Sequence, residues 1–213
     1  MVDVLGTLSA TIDANVAELG RMDAVAGDGD HGSGMQRGAR AARHAAAEAA
    51  AAGAGARGTL LRAADAWSDR AGGTSGALWG VILGRIAEHL GDTGAPDAAA
   101  IAAGVADAVR AVQRYGGAEP GDKTLVDALL PFSAELSRAV GDGAGLAAAW
   151  PRAAAAARAA ADATADLVPR RGRARTHGRN SVGTPDPGAH SLALIATAVG
   201  PVLAARPSER TPS

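Results

Sequence analysis

Asp23, Asp28 and Asp30 fall within eight positions of one another in the stretch Asp23-Ala-Val-Ala-Gly-Asp-Gly-Asp-His-Gly32. Glycines are interleaved with them, and glycine lets a backbone turn sharply and a ligand come close. Three carboxylates converging in one loop repel one another unless a positive charge lies between them. A hard divalent cation such as Mg2+ meets that need, because it prefers carboxylate oxygens and is commonly shared with phosphate. The spacing does not suit the twelve-residue calcium loop, whose ligands continue to a terminal Glu. Asp-Gly pairs alone are ordinary turn formers. With Asp23 before them and His31 after, the residues favour a metal–phosphate site.

Four other segments carry chemistry beside a plainer alternative. Gly72-Gly73-Thr74-Ser75-Gly76 leads into a helical pattern. Unpaired N–H groups at a helix start attract anions, and the hydroxyls of Thr74 and Ser75 add donors. No Lys follows the final glycine as a P-loop requires, and in isolation such a segment is a helix break followed by a cap. Gly121-Asp122-Lys123-Thr124 reads as a capped helix start, with the alternative that Asp122 and Lys123 face a reaction centre. Arg170, Arg171, Arg173, Arg175 and Arg179 form a charged run; most such residues are solvated, but one Arg neutralising a phosphate accounts for the run economically. Asp186-Pro187-Gly188 has the cap and first-turn proline of a helix start.

These segments need elements to hold them, and the elements read as helices. Leu5, Leu8, Ile12, Val16 and Leu19 repeat at helical spacing, with Gly20 as the predicted end. Further helices are predicted from about Gly34 to Ala52, around Leu60–Trp67, from Leu78 to Leu90, and from Asp97 to Tyr115. Beyond Tyr115, Asp122 is the predicted cap of a helix carrying Leu125, Leu129 and Leu136, with Pro131 inside it. The last two patterns run over Leu146–Leu167 and from Asp186 to Leu203. Between these two, the segment 169–185 is polar and irregular. The count is about eight helices. Alanine, the best helix former, dominates, and strand-like runs of Val, Ile, Tyr and Phe are missing.

Composition narrows the function classes. A net charge of -1 argues against a general polyanion binder, and 2% aromatic residues leave little to stack on bases. Zero cysteines exclude disulfides and thiolate metal sites. No apolar run is long enough to span a bilayer without Gly or charge. The first residues lack a basic segment ahead of an apolar core. The expectation is one soluble, cytoplasmic domain binding neither nucleic acid nor membrane, over residues 1–205, with a disordered tail over 206–213.

Five segments in order give the chain a resemblance. They are Met22-Asp23 through Gly-Asp-Gly-Asp-His-Gly, then Gly-Gly-Thr-Ser-Gly-Ala-Leu, Ala-Glu-Pro-Gly-Asp-Lys-Thr, Gly172-Arg173-Ala174, and Asp-Pro-Gly-Ala. Together they resemble the nucleotide-binding L subunit, or L-type domain, of dihydroxyacetone kinases. The resemblance implies an all-α fold, an eight-helix antiparallel barrel with the nucleotide site at one end. It implies that Asp23, Asp28 and Asp30 hold a pair of Mg2+ ions bridging the phosphates of ATP or ADP. His31, Gly32, Ser33, Gly34, Thr74 and Ser75 would contact phosphate. Gly116 and Leu125 would line the adenine and ribose side, and Arg173, Asp186, Pro187 and Gly188 would close over the nucleotide. Two departures are visible. Many L subunits have Asn where this chain has Gly34, and the run Arg175-Thr176-His177-Gly178-Arg179-Asn180 differs from the common Ser-Tyr-Leu-Gly-Glu-Arg-Ser.

By the same resemblance, a separate K-type subunit holds the ketose, dihydroxyacetone or a relative such as erythrulose, and this chain donates phosphate at an interface. No residue here is a certain catalytic group. The first alternative is a phosphocarrier that keeps ADP bound and is recharged by a phosphotransferase-system protein. The second is a non-catalytic nucleotide-binding module that regulates a partner. The related domain of fatty acid kinases usually has Thr where this chain has His31. A homodimer is compatible with all of these.

Overall fold

Each helical pattern becomes a helix in the computed structural model, which describes residues 1–205. The predicted tail 206–213 and the side chain of Ser75 lie outside the described residues. In chain order the helices are α1 (Val2–Asp23), α2 (His31–Ala51), α3 (Ala56–Ala71), α4 (Gly73–Glu88), α5 (Ala98–Gly116), α6 (Val126–Gly141), α7 (Leu146–Ala163) and α8 (Pro187–Ala204). Two 3-10 segments, Thr164–Asp166 and Arg173–Ser181, lie between α7 and α8. Among the described residues there is no strand.

Each helix packs on the next along the chain, and α8 packs back onto α1. Short connections make α1 to α7 successive antiparallel neighbours, and the longer segment 164–186 returns so that the Asp186 N–H before α8 bonds Thr164 just after α7, so the ring is a closed up-and-down barrel. Alanine makes the ring tight: Ala42, Ala46, Ala63, Ala108, Ala139, Ala153, Ala157 and Ala193 are fully buried. Larger side chains fill the interior. Trp67 stacks on Trp79 with ring centroids 5.2 Å apart, and Phe132 meets Trp150 edge-on at 4.9 Å. Such pairs add about 0.5–1.5 kcal/mol beyond their burial. An apolar cavity of about 140 Å³ remains, lined by residues such as Leu5, Leu83, Val105 and Leu192.

The alternation of direction matters most for function. The C-termini of α1, α3, α5 and α7 and the N-termini of α2, α4, α6 and α8 lie at the same end of the barrel. Every predicted site segment sits at one of these termini or in the loops beside them. A cleft of about 520 Å³ opens there.

Several predicted boundaries shift, each for a packing reason. Gly20 does not end α1, which continues to Asp23. It is a contact point instead: a Cβ there would lie 3.2 Å from the Gly29 carbonyl oxygen, so its absence lets the aspartate loop fold back onto the helix. α2 begins at His31, not near Gly34. A Cβ on Gly32 would stand 2.1 Å from the Val16 carbonyl oxygen, so only glycine lets α2 start so close to α1. Asp122 does not cap α6, which starts at Val126. Asp127 holds that turn: its carboxylate accepts from the Gly121 N–H at 2.5 Å and the Thr124 N–H at 2.7 Å. The segment 169–185 is not wholly irregular, since it contains the 3-10 turns of Arg173–Ser181, broken at Gly178.

α8, with mean hydropathy 1.4 over 18 residues, is long and apolar enough by length and composition to cross a membrane. In this fold it is a stave of the barrel, half buried against α1, α6 and α7.

Candidate functional site

The aspartate loop is built by the end of α1 and the start of α2. Asp23 is the last residue of α1, and its Oδ2 accepts the His31 N–H at 3.3 Å. Asp30 stands at the head of α2 without using its carboxylate as a cap. The Asp28 Oδ1 accepts the Asp30 N–H at 3.4 Å. One carboxylate oxygen from each of the three lies within 4.8 Å of the others. The spacing of the residues in sequence therefore converges in space.

A positive charge already lies against that trio. Arg173, about 145 residues further along the chain, donates through Nη2 to Asp30 Oδ1 at 2.8 Å and through Nη1 to Asp28 Oδ2. Its guanidinium hydrogen bond, partly opposed by desolvation, holds the Asp30 carboxyl below the usual carboxylate range. The loop is thus arranged around a cation, and the donor set of clustered carboxylate oxygens fits Mg2+. The residues present are of the kind that would hold such an ion.

Arg173 is carried by a lid spanning 170–183. Gly172 and Gly178 have φ of +66° and +57°, which only glycine adopts without cost. The lid is stapled at both ends. At its start the Arg170 N–H donates to the Asp122 carbonyl at 3.0 Å, and the Arg171 guanidinium pairs with the Asp122 carboxylate at 3.2 Å. At its end the Lys123 ammonium donates to the Ser181 carbonyl at 2.7 Å and the Leu167 carbonyl at 3.2 Å. Lys123 takes φ of +61° to do so. Burial pushes its pKa down from the ordinary lysine value. The Glu119 N–H bond, then Arg171, hold the Asp122 carboxyl low. Asp122 and Lys123 therefore act on the lid, an intermediate place between helix cap and reaction centre.

α8 closes the cleft on the other side. Asp186 caps it, accepting the Ala189 N–H at 2.7 Å. Burial pushes the Asp186 carboxyl up to about 7, with the capping N–H groups and Lys123 opposing the rise. The Asp186 N–H donates to Thr164 Oγ1 at 2.8 Å, tying the end of α7 to the start of α8. The His31 ring turns toward α8, with Nε2 3.1 Å from Ser191 Oγ, and burial pushes its pKa below the usual imidazole value. The ring therefore joins α2 to α8, and His31 lines the cleft at the α2 start.

Most of the remaining predicted residues gather at the same opening. Ser33 Oγ donates to the Asp30 carbonyl at 2.9 Å. Gly34, Thr74, Gly116, Leu125, Pro187 and Gly188 line the cleft. Gly116 ends α5 and lies beside Leu78. A Cβ on Gly188 would stand 3.4 Å from the Leu125 Cβ, which keeps the α6 and α8 starts close. Gly32 is buried against α1. Among the described residues no side chain caps α4. Two further residues have no clear sequence signal. Ser191 and Thr164 are single hydroxyls inside helical patterns. Arg37 is one helical turn beyond Ser33, and that spacing is the signal that places it on the cleft side.

Residues 25–200 match the DAK2 domain. The chain belongs to that family. An L-erythrulose kinase of Pectobacterium atrosepticum is 54% identical over 203 residues, which cover 94% of this chain and 34% of the kinase. A D-erythrulose kinase of Mycolicibacterium smegmatis is 58% identical over 182 residues, covering 85% of this chain and 31% of that protein. The chain thus spans about a third of the length of these curated relatives. Among solved structures, the dihydroxyacetone kinase from C. freundii in complex with AMP-PNP and Mg2+ matches with a TM-score of 0.62 at 26% identity, over 94% of this chain and 33% of that chain. The resemblance to the L-type domain and the all-α barrel both hold.

Proposed function

We propose that this chain is the nucleotide-binding, phosphoryl-donating domain of a short-chain ketose kinase, with erythrulose or dihydroxyacetone as the acceptor class. The carrying observation is the convergence of three carboxylates, within 4.8 Å of one another, on a cleft ringed by four helix N-termini. Carboxylates would hold Mg2+, and the helix starts favour the phosphates. The names of the erythrulose kinase relatives and of the Mg2+–AMP-PNP complex support the same reading.

Asp23, Asp28 and Asp30 would hold the metal, which when bound would neutralise phosphate charge during transfer. The backbone of His31, Gly32, Ser33 and Gly34, with Thr74 and Ser75, would receive the phosphates. Gly116 and Leu125 would border the base and ribose. Arg173 would follow the phosphates as the lid settles, held at its hinge by Lys123. Asp186, Pro187 and Gly188 would set the α8 wall. Phosphoryl transfer needs positioning and charge neutralisation above covalent help from the protein, and the cleft offers those two things. The ketose would be held by a K-type domain, on the same or another polypeptide.

The test combines the purified chain, a K-type domain, Mg-ATP and erythrulose or dihydroxyacetone. Repeated formation of ketose phosphate on ATP alone is the expected result. A requirement for a phosphotransferase-system protein would replace the reading with an ADP-bearing carrier. Tight nucleotide binding with no transfer to either ketose would leave a regulatory module.

A further inference from the structure

The side chains of four Arg and Lys residues line the cleft, and three have evident tasks. Arg173 bridges Asp28 and Asp30, Arg171 pairs with Asp122, and Lys123 is buried against two carbonyls. Arg37 differs. Among the described residues it has no carboxylate partner within salt-bridge distance. Its Nη2 donates to the Ala71 carbonyl at 3.1 Å and its Nη1 to Ser33 Oγ at 3.4 Å. A guanidinium has five N–H donors, so most of its donors and its whole charge are left for something else.

The two anchors fix where that charge stands. Ala71 ends α3, where a cation is favoured by the carbonyl-rich terminus. Ser33 lies in the first turn of α2. Arg37 is thereby held at the seam between the α2 and α4 starts. Gly34 and Gly72 border it: Cβ atoms there would lie 3.8 and 3.9 Å from its Nη2, at ordinary contact distance. Gly72 precedes the uncapped start of α4. Gly116 meets Leu78, six residues further along α4 than Gly72. Six residues of helix rise about 9 Å. With the base beside Gly116, as the nucleotide reading has it, the end of the cleft beside Arg37 is left for the phosphates.

We propose that Arg37 binds the terminal phosphate of the nucleotide and sets the preference for ATP over ADP. The proposal rests on the nucleotide reading above and assigns a specificity residue within it. Guanidinium suits this task because its planar fork can take two phosphate oxygens at once. The backbone and hydroxyl anchors orient it without neutralising it, so the charge is ready before the ligand arrives.

Isothermal titration of the wild-type chain, Arg37→Ala, Arg37→Gln and Arg37→Lys with Mg-ATP and Mg-ADP tests it. Arg37→Ala is expected to lose about tenfold in ATP affinity, the scale of a charged hydrogen bond, and less than about twofold for ADP. Arg37→Lys should recover most of the ATP affinity. Arg37→Gln keeps a donor for the Ala71 carbonyl without the charge, so it should fold and show the same selective loss of ATP affinity even if Arg37→Ala is poorly folded by circular dichroism. Equal losses for both nucleotides, or no loss for ATP, overturn the assignment. Failure of the wild-type chain to bind either nucleotide overturns the nucleotide reading itself, which is a different outcome.

Discussion

Asp28 and Asp30 are shared between a guanidinium in this structure and a metal ion in the proposed function. Both demands act on the same oxygens, which gives two opposite expectations for substitution. Asp28→Ala or Asp30→Ala should weaken Mg-nucleotide binding by at least the roughly 10–100-fold seen when outer-shell partners of a metal are lost. The helical circular dichroism should persist, since both side chains are exposed. Unchanged titration curves in both variants would remove the metal assignment. Arg173→Ala should act in two directions. It frees the carboxylates, so Mg2+ alone should bind about three- to tenfold more tightly, the scale of two exposed ion pairs. It also removes a phosphate partner, so Mg-nucleotide affinity should fall. Weaker binding of Mg2+ alone in that variant would show that the pair does not compete with the metal.

At the scale of elements, the lid is the part with a mechanical design. Its body is 3-10 turns interrupted by Gly178, a geometry that holds poorly alone. Its ends are fixed by Asp122 and Lys123, which precede α6. Lys123→Met should therefore loosen the lid and leave the barrel intact. Trypsin should cut among Arg170–Arg179 about tenfold faster, corresponding to about 1.4 kcal/mol of easier local opening. An unchanged cleavage rate would mean that the lid is held by other contacts. The same elements explain which boundaries were hidden. Periodicity marks the buried face of each helix, but Gly20, Gly32 and Asp122 have their roles set by another segment. Gly20 reads as a helix end by its type and is a contact point for the aspartate loop by its place.

For the whole molecule, stability is linked to pH through groups packed where the barrel end closes. Asp186 has an ordinary carboxyl value of 3.8 and titrates near 7 when folded. The folded state thus retains a proton that the unfolded chain has lost, and stability falls as pH rises from about 3.8 to about 7. His31 and His190 act in the other direction. Burial lowers their folded pKa below the ordinary 6.5, so their contribution is present above 6.5 and lost as pH falls. Asp186→Asn keeps a capping oxygen and removes the titration. Its melting temperature should match the wild type near pH 4 and exceed it increasingly toward pH 7.5. A difference that does not change with pH would refute the buried charge.

The sequence by itself determined the helical class, the order of the staves and the aspartate loop. Those features depend on spacing within a few residues: helical periodicity, glycine punctuation, and carboxylates close enough to meet by local turning. The tertiary structure decided what happens between distant segments. It brought Arg173 to Asp28 across 145 residues, turned His31 to Ser191 across 160, and used Lys123 to hold Ser181 across 58. Those contacts exist because alternating helices close into a ring and deliver their termini to one end. The pairing of side chains there depends on which termini become neighbours, and local spacing carries no record of that.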